Sequence, residues 1–283
     1  ILAQAHPGPR AASGHDRAAG QSWEGRGPAH DMGCLGCLEG LGLGGKRPPP
    51  LPRGPMTLKY FPFTGRAEPI RLALRIGGIE FQDQRITNIE WATAAKQTTP
   101  YGQVPVLVVE QTQIAQTKNI LRYLGKLIKH DGRLLYPEDP LVAAKVDEVL
   151  DAFDDVWVLL APTYRIKDKE QRELARQKLF GPGGEAAAML GIFERMLKDS
   201  SNGFLVPEAK GLTVADLAYF CYLNTIRSGF VDGLTANLFS EFPEIRKHKD
   251  KVAGIPAVAR YYADPSKSNP DNLQIYEVFK PGK

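Results

Sequence analysis

Between Thr57 and Ile128 the apolar residues switch back and forth between strand and helix spacing, and beyond Pro140 only the helical spacing remains. A chain patterned this way must pair all its strands within one short stretch. Thr57 to Phe61 reads as a strand stopped by Pro62, and Arg66 to Ile76 repeats apolar residues at Ile70, Leu72, Leu74 and Ile76 before Gly77-Gly78 ends a helix. Phe81 to Ile86 alternates as a second strand, and Ile89 to Gln97 is helical. Val104-Pro105 opens the apolar run Val106 to Val109, to which Gln113 to Ala115 returns as a hairpin partner. Ile120, Leu121, Leu124, Leu127 and Ile128 stripe a third helix. The order strand, helix, strand, helix, strand, strand, helix makes one small mixed α/β unit.

His130 to Pro140, with Asp131-Gly132, Pro137 and Pro140, reads as a linker. After it, Val146, Val149, Leu150, Phe153, Val156, Trp157 and Leu160 have the spacing of a long buried stripe. A second long helical stretch is predicted from Lys167 toward Lys198, broken at Gly181-Pro182-Gly183-Gly184, which cannot sit inside a continuous helix. Thr213 and Asp216 have capping-box spacing before an apolar helix from Leu217 to Ile226, and Phe242 to Val252 and Ile255 to Tyr262 give two shorter helices.

Ahead of all this, residues 1–55 hold 12 of the 28 glycines and 8 of the 22 prolines. Pro48-Pro49-Pro50-Leu51-Pro52 forces extended backbone, so the segment reads as a disordered tail, with Met56 preferred to Met32 as a natural start. Cys34 and Cys37 lack a second metal-ligating pair and read as incidental; Asp16, Glu24, Asp31 and Glu39 are too many acids for a transit peptide. The net charge of +4 is spread without a basic block interleaved with aromatics, which argues against a nucleic-acid partner. No apolar run has the length of a membrane span, and three cysteines make no disulfide framework, so a cytoplasmic setting is expected.

The order and spacing of several motifs resemble the glutathione S-transferase superfamily, nearest the sigma class with pi as neighbour, over about residues 56–265. They are Tyr60-Phe61, Gly65-Arg66-Ala67-Glu68-Pro69-Ile70-Arg71, Trp91 with Lys96, and Pro100-Tyr101-Gly102-Gln103-Val104-Pro105. Further on come Gln116-Thr117 before Asn119-Ile120-Leu121-Arg122-Tyr123-Leu124, Asp147 to Asp155, and Ala253-Gly254-Ile255-Pro256-Ala257-Val258. The resemblance implies a thioredoxin-like glutathione-binding domain over 56–134, an all-helical domain over 141–270 carrying most of an electrophile pocket, and a C-terminal tail over 271–283. It also implies a homodimer acting on small apolar electrophiles with glutathione as co-substrate and no required metal.

The chemistry has its own logic. A cysteinyl thiol has a pKa of about 8.5, so little of the nucleophilic thiolate exists at pH 7. A phenol aimed at the sulfur stabilises the thiolate more than the thiol, and Tyr60, at the end of a strand and ahead of a helix, is where sheet ends present ligand groups. Tyr60 is therefore the expected thiolate stabiliser.

Glutathione carries two carboxylates and an ammonium, which call for cations at one end and a carboxylate at the other. The resemblance implies Arg66, Trp91 and Lys96 around the glycine-end carboxylate with Gln103 nearby, and a cis turn at Val104-Pro105 that pairs with the peptide like an added strand. Gln116 and Thr117 begin a helix whose free N–H groups would take the γ-glutamyl carboxylate. Asp155 would reach the γ-glutamyl ammonium of the partner subunit's site. Asp147, Asp151 and Asp154 read either as a solvated acidic face or as a cation site, the solvated face being preferred.

Three departures stand out. Thr117 replaces the usual serine but keeps the hydroxyl, and Thr64 would put a second hydroxyl beside the sulfur. Glu110-Gln111 replaces the Asp-Gly favoured in a tight hairpin turn. Phe63, Leu159, Pro162 and Tyr164 are candidate pocket walls and equally good core residues. Besides conjugation, the superfamily implies an isomerase of the prostaglandin D synthase type as an alternative, and a non-catalytic crystallin-like or ligand-binding protein as another.

Overall fold

The structure, a computed structural model, describes residues 54–264 and 277–283. The expected tail with its Cys34/Cys37 pair, and part of the expected C-terminal tail, lie outside the described residues.

Four strands form a mixed sheet in the order β2-β1-β3-β4: β1 (Met56–Tyr60), β2 (Phe81–Arg85), β3 (Val106–Val109) and β4 (Thr112–Ala115). β1 runs parallel to β2, with Tyr60 opposite Arg85, and antiparallel to β3; β3 and β4 are an antiparallel hairpin. The period-two pattern of β1 sends Met56, Leu58 and Tyr60 inward. The hairpin turn uses Glu110 at φ 55°, a left-handed conformation that costs a side chain with a Cβ.

Helix α1 (Glu68–Ile76) follows a 3₁₀ turn at Gly65–Ala67 and is buried on nearly every side, since α7 (Val214–Thr225) and α9 (Pro256–Ala263) cover the face that the sheet does not. This placement buries the charged pair Glu68 and Arg71 along with the apolar residues. The short α2 (Asn88–Thr93) starts with a Thr87/Glu90 capping box, and α3 (Thr117–Gly125) closes the α/β part. α3 stops at Gly125, short of Leu127 and Ile128, where a side chain would collide with Tyr136 and Val214.

The stretch read as a linker contains a small hairpin, β5 (Lys129–His130) and β6 (Arg133–Leu134). Asp131 at φ 48° and Gly132 at φ 77° form its two-residue turn, the left-handed pair that such hairpins require. The expected linker thus begins with a turn.

The rest of the described chain is helical: α4 (Pro140–Leu160), α5 (Lys169–Phe180), α6 (Glu185–Asp199), α7, α8 (Pro243–Ala253) and α9. α4 starts where Asp139 accepts from the N–H groups of Leu141 and Val142, and its expected stripe is the buried one. The long helical stretch breaks at Gly181–Gly184 as its residues dictate. α7, every residue of which is buried, is the hub. Its start is fixed by Asp216, which accepts from the N–H and hydroxyl of Thr213 at 2.9 and 2.7 Å and from Leu205 N–H at 2.9 Å, with His248 Nε2 at 3.0 Å. Among the described residues no helix is long and apolar enough to cross a membrane.

Candidate active site

The candidate site lies at the C-terminal end of β1, where the chain turns from strand to helix. Tyr60 is buried, and its hydroxyl oxygen accepts a hydrogen bond from the Arg66 N–H at 3.0 Å. That bond occupies an acceptor position and leaves the phenol proton to be donated elsewhere. Burial raises the Tyr60 pKa above its ordinary value, against the Arg66 N–H bond and the charges of Arg66 and Arg71, which pull it down. The phenol is therefore a protonated donor at neutral pH. Gly65 allows this approach: at φ 44°, a Cβ there would stand 2.5 Å from the Tyr60 hydroxyl and 2.8 Å from Phe63.

The loop after Tyr60 is held from below by Arg71, a residue to which the sequence reading assigned no role. Its guanidinium donates to the carbonyls of Phe61, Phe63 and Thr64, to Glu68 at 3.0 Å and to Asp83 at 3.1 Å. Glu68 in turn accepts from the Tyr262 hydroxyl at 2.9 Å, which ties the loop to α9. No sequence signal separates these buried charges from surface ones.

Phe61, Phe63 and Trp91 form an aromatic row beside Tyr60. Phe63 meets Tyr60 edge-on at 5.4 Å and stacks on Phe61 at 5.8 Å, and Trp91 meets Phe61 edge-on at 5.6 Å. On the side away from Phe61, Phe63 stacks on Phe230 at 5.3 Å. Phe230 carries no motif in the sequence and becomes a wall only through the fold.

The other expected pocket residues are arranged differently. Tyr164 packs against the guanidinium of Arg176 with its hydroxyl buried, Pro162 is exposed, and Leu159 packs on the core. Phe63 stands in the aromatic row itself. Thr64, expected beside the sulfur, has its hydroxyl 3.4 Å from that of Thr225, which donates to the Cys221 carbonyl.

The polar half of the cleft is made by two loops. The Lys96 side chain runs along Gly102, and Gln116 Nε2 donates to Gln103 Oε1 at 3.4 Å. The Val104-Pro105 peptide is cis, and among the described residues neither the N–H nor the C=O of Val104 enters a backbone hydrogen bond, so both remain open to an extended peptide. Gln116 sits at φ 70°, ψ 117°, a conformation that side chains rarely adopt, directly before the uncapped N–H groups of α3. Uncapped N–H groups at a helix N-terminus suit the capture of a carboxylate.

Asp147, Asp151 and Asp154, preferred as a solvated face, pair with α3 across the α/β–helical boundary. Arg122 bonds Asp147 at 2.6 Å, Tyr136 donates to the same carboxylate at 2.9 Å, and Lys118 contacts Asp151 at 2.7 Å and Asp154 at 2.5 Å. Burial works against the Lys118 ammonium, but the two aspartates outweigh it and raise its pKa. Asp155 is exposed and takes no part in these pairs. Among the described residues no group of His, Cys, Asp and Glu side chains is placed to hold a metal.

Comparisons with known proteins place the chain in a family. Residues 56–126 match the family model for the glutathione S-transferase N-terminal domain, and residues 154–265 match that for the C-terminal domain. The chain is 36% identical over 210 residues to a probable glutathione S-transferase 9 of Caenorhabditis elegans, covering 72% of this chain and 93% of the relative. Among solved structures it resembles prostaglandin synthase D of Nilaparvata lugens (TM-score 0.64, 27% identity, covering 75% of this chain and 98% of the other). It also resembles a monomeric glutathione S-transferase of Necator americanus (TM-score 0.60, 29% identity, 74% and 97%). Strand-end phenol, cis turn and uncapped helix start thus occur in a chain whose two halves both match the same family, and the chain belongs to the glutathione S-transferases.

Proposed function

We propose that the cleft binds glutathione as an added strand against Val104 and activates its thiol for attack on small apolar electrophiles, in detoxification or metabolism. The observation that carries this reading is the Tyr60 hydroxyl, whose oxygen is occupied by the Arg66 N–H while its proton is free. The thiol gives its proton to solvent, the Tyr60 O–H donates to the resulting thiolate, and the sulfur lone pair forms a bond to the electrophile by addition or by displacing a leaving group. Tyr60 stays protonated throughout.

Residues 56–134 would supply the glutathione side and 141–270 most of the electrophile side. Arg66, Trp91 and Lys96 would surround the glycine-end carboxylate, with Gln103 beside them, and Gln116 and Thr117 would present the α3 N-terminus to the γ-glutamyl carboxylate. The working form would be a cytoplasmic homodimer in which Asp155 serves the partner subunit's site.

Retention on immobilised glutathione, followed by turnover across a panel of aryl halides, epoxides and enals, tests the reading; neither retention nor turnover would overturn it. The similarity to a prostaglandin synthase D favours a second reading, a glutathione-dependent isomerase. Product analysis with a prostaglandin endoperoxide separates the two.

A further inference from the structure

Phe230 belongs to a five-residue turn, Ile226–Phe230, in which α7 ends with π-helical bonding. A wide last turn closed by a left-handed glycine is a common helix ending, and contacts from outside hold this one. Gly229, at φ 86°, reverses the chain, and the Ser228 hydroxyl bridges the turn, donating to the Thr225 carbonyl at 2.8 Å and accepting from Phe230 N–H at 3.3 Å.

Outside support comes from both flanks. After the turn, Asp232 pairs with Arg172 at 2.7 Å and with Arg176. Within it, Arg227 is buried, packs against Phe239 at 5.6 Å and donates to the main-chain oxygens of Val278 at 3.2 Å and Lys283 at 2.5 Å. Lys249 donates to the carbonyls of Lys280 and Lys283, and Asp250 accepts from Gly282 N–H at 2.8 Å. Phe279 pins the same segment, fully buried against Phe220 at 5.6 Å and Tyr262 at 4.8 Å.

We infer that residues 277–283 form a strap, gripped through Arg227, that sets the position of Phe230 against Phe63 and so selects the electrophile. Arg227 is then a positioning residue acting three residues along the turn through Phe230. A buried guanidinium that loses two carbonyl acceptors must find replacements or move toward water, and in a five-residue turn that movement carries Phe230 with it. This inference rests on reading the cleft beside Tyr60 as the electrophile site.

The test uses the full chain and the variants Arg227→Met, Arg227→Lys, Lys249→Met, Phe230→Leu and the Arg227→Met/Phe230→Leu double. KM is measured for glutathione and for 1-chloro-2,4-dinitrobenzene, together with the affinity for the apolar dye 8-anilinonaphthalene-1-sulfonate. Arg227→Met should raise the aryl halide KM about fivefold, the loss of one modest contact, while glutathione KM stays within about twofold. Arg227→Lys, which keeps a donor for the carbonyls, should restore most of the difference. The double variant should be no worse than Phe230→Leu. Additive effects, or equal changes in both KM values, overturn the strap. Lys249→Met loosens the same segment with Arg227 intact and should shift the aryl halide KM the same way; it decides the matter if Arg227→Met does not fold. Should the wild type conjugate nothing, the proposed function has failed, and the strap is still judged by whether dye affinity changes in Arg227→Met as in Phe230→Leu.

Discussion

Replacing Tyr60 with Phe removes one oxygen and leaves the ring, its edge contact with Phe63 and the buried packing in place. Two hydrogen bonds go with the oxygen: the one from Arg66 N–H at 3.0 Å, and the one that the free phenol proton would make to the glutathione sulfur in the proposed reading. A hydrogen bond to a charged group contributes about 1.5–3 kcal/mol, which at 1.36 kcal/mol per unit is roughly one to two pKa units on the bound thiol. If the wild type brings that thiol to about 6.5, the variant leaves it near 7.6–8.7, and the thiolate fraction at pH 6.5 falls roughly tenfold to a hundredfold. Because burial holds the Tyr60 phenol above its ordinary pKa, the donor itself is not titrated in this range. The thiolate absorbance of enzyme-bound glutathione, followed from pH 5 to 9, reads the shift directly, and conjugation rates should fall by the same factor at low pH and converge with the wild type at high pH. A rate reduced equally at every pH would refute thiolate stabilisation as the role of Tyr60, and an unchanged titration would refute it outright.

Gly65→Ala should place a methyl group 2.5 Å from the Tyr60 hydroxyl at a left-handed φ, so conjugation should drop at least tenfold, measured as kcat/KM at constant Tm-corrected folded fraction. Arg71→Met leaves Glu68 buried without its ion-pair partner and frees three loop carbonyls, and should cost about 3–5 kcal/mol in urea denaturation. Lys118→Met, by contrast, breaks pairs with Asp151 and Asp154, which are 67% and 54% exposed, and should change stability by no more than about 1 kcal/mol in the same assay.

The sequence alone determined the order of the main strands and helices, the break at Gly181–Gly184 and the capping box at Thr213 and Asp216, because periods, caps and turn residues act within a few positions of one another; the site around Tyr60 was named from the resemblance of its motifs to a family. The hairpin at Asp131-Gly132 was legible in the same way and was missed because its strands have only two residues each. Only the tertiary structure decided the rest. Thr64 meets Thr225, Asp147 and Asp151 face α3, Tyr164 sits against Arg176, and Phe230 extends the row that starts at Tyr60. Each of these joins residues from different elements, so nothing in the local pattern distinguishes them from ordinary core or surface positions. The helical half supplies a wall and a strap whose places depend on how α7 packs over α1, and that packing is set by burial summed over the whole chain.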